Sequence, residues 1–171
     1  MPITLDMKKI LAPFSSYNLW ANQTLITIIK QLPEDVIRKK VDSSFDSLFA
    51  TVLHLWDAES MWWQRMKLVE QVKRPSAGFT GNFAALAENM VQQSRQWNDW
   101  VLAAQNHMLD HEFIYYNTKK EKFKQPVYEV LLHIFNHGTY HRGQLVTILH
   151  HLKTDNIPNT DFIAWSRKFK L

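Results

Sequence analysis

The segment HIFNHGTYHRGQL, residues 133–145, places His133, His137 and His141 at successive four-residue steps. In an α-helix each step turns by only about 40°, so the three imidazoles form one stripe. Packing alone does not explain three ionisable rings on a core-facing stripe, whereas a shared divalent transition metal does, because neutral imidazole is a common ligand. The apolar residues that place this stripe toward the core are Val130, Ile134, Leu145, Ile148 and Leu152.

One helix cannot bring all three rings to one ion. Residues four apart rise about 6 Å and can converge, whereas residues eight apart rise about 12 Å. Metal–nitrogen bonds are only about 2 Å long. The helix therefore supplies either His133 with His137 or His137 with His141, and another segment supplies a further ligand. The candidates outside this helix are His54, His107 and His111.

Of these candidates, the sequence favours His54. Ala50 and Ala58 lie one helical turn before and after it, and small neighbours leave room for an ion and a bound molecule. His107 and His111 lie at the edge of a predicted hairpin, which is a less rigid position.

Four long helical patterns predict an all-α bundle. They cover approximately residues 6–32, 43–68, 82–105 and 126–152. Pro33 ends the first helix, and Pro126 opens the fourth. Ser43 and Ser44 form the predicted capping signal of the second helix.

The connections complete this prediction. Residues 70–81 form a linker long enough to cross the bundle. Two β-prone runs flank residues 117–120 and predict a small hairpin between helices three and four. After a loop over residues 154–162, we expect an aromatic tail with Trp165 and Phe169 to dock on the bundle.

The 171 residues are expected to form one domain, 1–171, because the chain is long enough to bury a substantial core. The chain has no cysteine, which excludes disulfides, zinc–thiolate sites and a catalytic thiol of its own. No long apolar run predicts a signal peptide or a membrane span, and we expect a cytoplasmic protein. The net charge of +4 comes from scattered basic residues, so nucleic-acid binding is not favoured.

Other catalytic schemes fail on spacing. No glutamate is followed three residues later by histidine, which excludes the ferritin-like di-iron motif. The His111–Glu112 pair has Tyr115 where a zincin needs its second histidine. GxGxxG, P-loop and GxSxG motifs are all missing from the sequence.

The roles of several polar residues near the histidines stay open at this point. Gln144 either orients a ligand or makes a structural hydrogen bond. Arg142 is expected to form a buried or interfacial ion pair, with a substrate-anion contact as the alternative. Asp57 and Glu59 act either as acceptors or bases beside the site or as salt-bridge partners.

With these residues in place, the chain resembles the DinB/YfiT-like family of damage-inducible, metal-dependent proteins. The last-helix motif LLHIFNHGTYHRGQL is the most specific part of the resemblance. YNLWANQTL at residues 17–25, VLHLWDAESMWW at residues 52–63 and PNTDF at residues 158–162 are also similar to family segments.

The resemblance implies a four-helix bundle with up-down-down-up connectivity and a homodimer. It implies a metal site made of His54, His137 and His141, with His133 as a flanking residue. Zn or Ni are the first candidates for the metal, with Fe, Co and Mn as others. Some family members resemble thiol-dependent S-transferases that use bacillithiol or mycothiol. The implied functions here are therefore a metal-dependent transferase or hydrolase acting on a small molecule, or a non-catalytic metal-binding stress-response protein.

Overall fold

The fold is taken from a computed structural model that describes residues 6–169. The helices in this range are α1 Met7–Ile29, α2 Glu34–Ile37, α3 Leu48–Met66, α4 Phe83–Ala103, α5 Asn106–Asp110, α6 Val127–His151 and α7 Phe162–Lys168. The strands are β1 Glu112–Tyr116 and β2 Lys122–Pro126, and Pro75–Gly78 form a short 3-10 turn. No helix in residues 6–169 combines the length and apolar character that a membrane span requires.

The four long helices, α1, α3, α4 and α6, form the bundle, and α1 and α3 each pack against both α4 and α6. The contacts between helices show that α3 runs parallel to α4. The pairs α3–α6 and α1–α4 run antiparallel. The up-down-down-up connectivity is therefore confirmed. The contacts that set these directions are Phe49 with Phe83, Trp63 with Trp97, Trp62 with His133, His54 with His141, Ser15 with Asn98, and Asn22 with Ser94.

The second long helix begins later than predicted. Residues 43–47 are not helical, and Ser47, rather than Ser43 or Ser44, is the N-cap of α3, because its side chain accepts a hydrogen bond from Ala50 N. The preceding loop is closed by a bond from Val41 N to Asp46 O. The short helices α2 and α5 were not predicted, since each is too short to show a periodic pattern.

The predicted hairpin is confirmed, with β1 and β2 pairing antiparallel. Asn117 builds its turn by accepting hydrogen bonds from the backbone nitrogens of Lys119 and Glu121. The aromatic tail also docks as predicted: Trp165 is buried against Tyr17, and Phe169, although partly exposed, contacts the Trp165 ring.

Two apolar clusters in residues 6–169 lie on either side of a buried polar layer, and a third, smaller one joins Tyr17 and Ala21 of α1 to Trp165. One cluster packs around Leu25, Leu48, Leu86 and Leu145, near one end of the bundle. The other packs around Trp97 and includes residues from both ends of the hairpin connection. The side chains of the polar layer are Asn18, Asn22, Glu59, Ser94 and Arg142.

Gly138 lets α1 approach α6 at this layer. A Cβ atom at Gly138 would lie 2.8 Å from Asn18 Oδ1 and 2.9 Å from Arg142 Nη1, closer than real Cβ atoms come to other atoms. Both of these atoms are buried and hydrogen-bonded to each other, so neither can move away without breaking polar contacts. Gly143, on the same helix, has open space around its Cβ position.

We therefore expect opposite effects from two alanine substitutions in α6. Gly138→Ala should lower the free energy of unfolding by about 1–3 kcal/mol because it overpacks the polar layer. Gly143→Ala should raise it by up to about 1 kcal/mol, since alanine favours the helix. Urea unfolding followed by circular dichroism measures both, and an equal response of the two variants would contradict this account of the layer.

Candidate metal centre

Three histidine side chains from two helices meet at the α3–α6 interface. His54 Nε2 lies 3.3 Å from His137 Nε2, and His141 Nε2 lies 3.1 Å from the same atom. One ring nitrogen from each of the three lies within 4.8 Å of the others. Two nitrogens bound to a tetrahedral metal at about 2.0–2.1 Å are themselves about 3.3–3.4 Å apart. The spacing therefore fits three ligands of one small ion.

Hydrogen bonds among the rings do not account for this arrangement. His137 Nε2 has either one proton or one lone pair, yet it lies close to a nitrogen of both other rings. It can therefore pair well with only one of them. A cation in the centre would accept the lone pairs of all three nitrogens together.

The rings are in the protonation state that a metal requires. Burial, reinforced by the nearby His141, lowers the pKa of His54 from 6.5 to about 4. Burial, followed by the influence of His141 and His54, lowers the pKa of His137 to about 4 as well. Burial also lowers the pKa of His141. The rings are neutral near pH 7, and each keeps a lone pair for an ion.

Gln144 determines the orientation of one ring. His141 Nδ1 lies 2.7 Å from Gln144 Oε1, and an amide oxygen only accepts, so Nδ1 carries the proton and Nε2 keeps its lone pair. Gln144 in turn donates to Ser44 Oγ at 3.2 Å. Gln144 thus contacts a ring of the triad directly, which the orienting role requires. Such partners fix the tautomer and direction of metal-binding histidines.

A profile of the DinB family matches residues 7–164. The chain belongs to the DinB family. It is 26% identical over 147 residues to Protein DinB of Bacillus subtilis (strain 168), a match covering 78% of this chain and 80% of that protein. A crystal structure assigned to the DinB family, from Exiguobacterium sibiricum 255-15, superposes with a TM-score of 0.66 at 13% identity. That superposition covers 92% of this chain and 99% of the other.

Phe45 covers one side of the triad in this DinB-family chain. Its ring stacks on His54 with centroids 4.1 Å apart, and it meets the His141 ring edge-on at 5.5 Å. Phe45 belongs to the loop before α3, which the bond between Gln144 and Ser44 ties to α6. Sequence reasoning missed this residue, because the segment was taken as the start of a helix.

His133 does not join the triad. It is exposed, its ring centroid lies 5.8 Å from that of His137, and it meets the Trp62 ring edge-on at 5.3 Å. The expectation that the whole stripe faces the core was wrong for this residue. Two four-residue steps turn the helix by about 80°, so His133 is rotated away from the direction of His141, which is buried.

The other histidine candidates lie elsewhere. His107 and His111 are exposed, on α5 and immediately after it. Together with Trp100 and Phe113 they line a separate cavity of about 350 Å³. His54 is therefore the histidine outside α6 that the structure places beside His137 and His141.

The two acidic residues near His54 have different surroundings. Asp57 holds the linker between α3 and α4: Ser76 N donates to its Oδ1 at 3.0 Å, and Ser76 Oγ donates to its Oδ2 at 2.6 Å. Glu59 points into the polar layer and accepts hydrogen bonds from Asn18, Asn22 and Ser94. Neither carboxylate makes a salt bridge within 4.0 Å among residues 6–169.

Arg142 is buried as expected, but its hydrogen-bond partners are two amides and a hydroxyl instead of a carboxylate. Its Nη1 donates to Asn18 Oδ1 at 2.7 Å and Asn22 Oδ1 at 2.9 Å, and its Nη2 donates to Thr139 Oγ1. The same two asparagines donate to Glu59, so the guanidinium and the carboxyl are joined through neutral groups rather than by an ion pair.

Burial raises the pKa of Glu59 from 4.5 to about 7, although its hydrogen bonds and Arg142 oppose the shift. A carboxyl whose pKa is higher in the folded state stabilises the fold below pH 4.5, and this contribution is lost as the pH rises through 7. The stabilising contribution of Glu59 to the free energy of unfolding therefore decreases between pH 4.5 and pH 7. Glutamine cannot ionise and removes that contribution.

We predict that Glu59→Gln gains stability relative to the wild type as the pH rises from 5 to 8, by up to about 3 kcal/mol. Urea unfolding of both metal-free proteins at the two pH values measures the difference. Glu88→Gln, at an exposed position of α4, is the matched control and should show no such trend. A pH-independent difference between wild type and Glu59→Gln would show that Glu59 does not titrate as described.

Proposed function

We propose that His54, His137 and His141 bind one divalent transition metal, and that this DinB-family chain is a metal-dependent enzyme that transfers a low-molecular-weight thiol to an electrophile. The observation that supports the proposal most is that the Nε2 atoms of His54 and His141 lie 3.3 and 3.1 Å from that of His137, close to the ligand separation of a tetrahedral metal. Three imidazole nitrogens suit Zn or Ni first, with Fe, Co and Mn as further candidates.

Three protein ligands leave a coordination position for a substrate, which is the pattern of catalytic sites. A metal held by these three residues would act as a Lewis acid and lower the pKa of a thiol bound to it. The chain contains no cysteine, so the nucleophilic sulfur has to come from a co-substrate. In the transfer, the thiol proton goes to solvent, sulfur bonds to the electrophilic carbon, and the leaving group departs with the electron pair.

The chain's own residues prepare this chemistry. The neutral rings of His54 and His137 need not lose a proton before binding an ion near pH 7. Gln144 keeps the Nε2 lone pair of His141 directed at the other two nitrogens. Phe45 excludes water from the side where it stacks on His54. Together they hold three ligands in place before an ion or substrate arrives.

A purely structural metal is the main alternative, as in a non-catalytic stress-response protein. The packing favours catalysis over this alternative. Apolar clusters lie on both sides of the polar layer and join all four long helices without an ion. A metal-dependent hydrolase would use the same site with water as the nucleophile. The homodimer and the cytoplasmic location stay predictions.

We expect the untagged protein to bind one metal per chain. Single alanine variants of His54, His137 and His141 should each weaken metal binding by at least about tenfold, because each removes a ligand. His133→Ala and His111→Ala are the matched controls and should bind as the wild type does. Elemental analysis and competition with a chelating dye measure occupancy and affinity.

Two results would contradict the proposal. Full occupancy in the triple variant would rule out this site. Loss of the helical circular dichroism signal on metal removal would make the metal structural, because a catalytic site leaves a folded but inactive apo protein.

A further inference from the structure

A row of aromatic rings leads from the triad toward the β-hairpin. From His137, the ring of His133 lies 5.8 Å away, the ring of Trp62 lies 5.3 Å beyond that, and the ring of Tyr115 lies a further 4.9 Å away. The row crosses from α6 to α3 and then to β1. Phe45 packs against the other two rings of the triad, His54 and His141. The row therefore starts at His137, whereas Phe45 packs on His54 and His141.

Arg65 lies at the far end of this row. Its Cζ is 4.7 Å from the Trp62 ring centroid and 6.0 Å from that of Tyr115, so the guanidinium contacts the faces of aromatic rings. Its Nε donates to Tyr116 O at a long 3.3 Å. Burial lowers the pKa of Arg65, although a guanidinium stays charged near pH 7.

This half-buried cation has no counter-ion in residues 6–169. No carboxylate lies within 4.0 Å of it there, and its two terminal nitrogens have no hydrogen-bond acceptor among those residues. Arg38, by contrast, pairs with Glu34 at 2.7 Å. Neither terminal nitrogen is among the buried unpaired atoms of residues 6–169, so both are open to solvent, and an anionic ligand can bind them through charge-assisted hydrogen bonds.

The nearby acids are already engaged. Glu129 accepts a hydrogen bond from Gln125, and Asp57 accepts two from Ser76. Neither carboxylate is therefore the counter-ion of Arg65.

We propose that Arg65, Trp62 and Tyr115 form a subsite for the carboxylate of the thiol co-substrate, with its apolar body lying along the aromatic row. This inference rests on the proposed thiol transfer and specifies the substrate class: an elongated thiol with an acidic group remote from its sulfur. The separations along the row, 5.8, 5.3 and 4.7 Å for successive steps from His137 to Arg65, require such a length. Arg65 can bind a carboxylate through two parallel hydrogen bonds.

The test uses cobalt-substituted full-length protein and pairs of thiols that differ in charge. Mercaptooctanoate is compared with mercaptooctanol, and mercaptopropionate with mercaptopropanol, by titration of the cobalt absorption bands. We expect the wild type to bind mercaptooctanoate about tenfold more tightly than mercaptooctanol, since charged hydrogen bonds contribute at this level. The short pair should show no preference, because its carboxylate cannot reach Arg65.

Variants assign the preference to one side chain. Arg65→Gln should abolish it while leaving mercaptooctanol binding unchanged, and Arg65→Lys should keep part of it. Arg95→Gln, at an exposed position of α4, makes the same change in net charge and should behave as the wild type. Circular dichroism establishes that each variant is folded.

The outcomes separate the two proposals. Binding of both long thiols with equal affinity supports thiol coordination and overturns the subsite. If no thiol changes the cobalt bands, the thiol-transfer function fails, and calorimetry with octanoate alone then decides the subsite. Octanoate binding that disappears in Arg65→Gln supports an anion subsite for another class of substrate, whereas binding that is absent or unaffected by Arg65→Gln overturns it.

Discussion

A buried carboxyl and a buried guanidinium face each other through two amides in the middle of this bundle, and the arrangement of the helices depends on that contact. Glu59 accepts from Asn18 and Asn22, and the oxygens of the same asparagines accept from Arg142. Ser94 connects α4 to the network by donating a hydrogen bond to Glu59. All four long helices thus take part in one network. A one-residue slip of any helix would leave buried polar groups without partners, which costs more than shifting apolar contacts.

The same network joins the two helices that carry the histidine triad. Glu59 and His54 share α3, while Arg142 directly follows His141 on α6. The antiparallel contacts of α3 with α6, Trp62 against His133 and His54 against His141, bring His54 opposite the α6 histidines. Gly138 permits this by leaving room for Asn18 and Arg142. Burial then favours neutral forms on both sides, raising the pKa of Glu59 and lowering those of His54 and His137.

The features that follow from local spacing were predictable from the sequence. The four long helices, the hairpin and the grouping of His54 with two α6 histidines all depend on periodicity, turn residues or the resemblance to relatives. The start of α3 was mispredicted because Ser43, Ser44 and Ser47 are all suitable caps, and only the loop packing that places Phe45 on His54 distinguishes them. Contacts between distant segments, such as those of Arg142 with α1, carry no signal in one sequence.

The direction of His133 shows the limit of the stripe argument. Four-residue spacing predicts neighbours on one face, but each step also rotates the side chain by about 40° around the helix axis. His133 is therefore directed away from the other two histidines and contacts the Trp62 ring. The exposed position of His133 also places it between the triad and Arg65. His133, which the sequence offered as a possible ligand, is therefore part of the aromatic row along which we propose that the substrate lies.

X-ray absorption spectroscopy of the zinc- or nickel-loaded protein tests the central claim, that one metal is held by three histidines from two helices, most directly. The account predicts three imidazole nitrogens at about 2.0–2.1 Å for zinc, with the remaining coordination completed by a light atom from solvent. Replacing His54 with alanine should reduce the imidazole count to two. A spectrum with fewer than three imidazoles in the wild type, or one unchanged by the loss of His54, would contradict it.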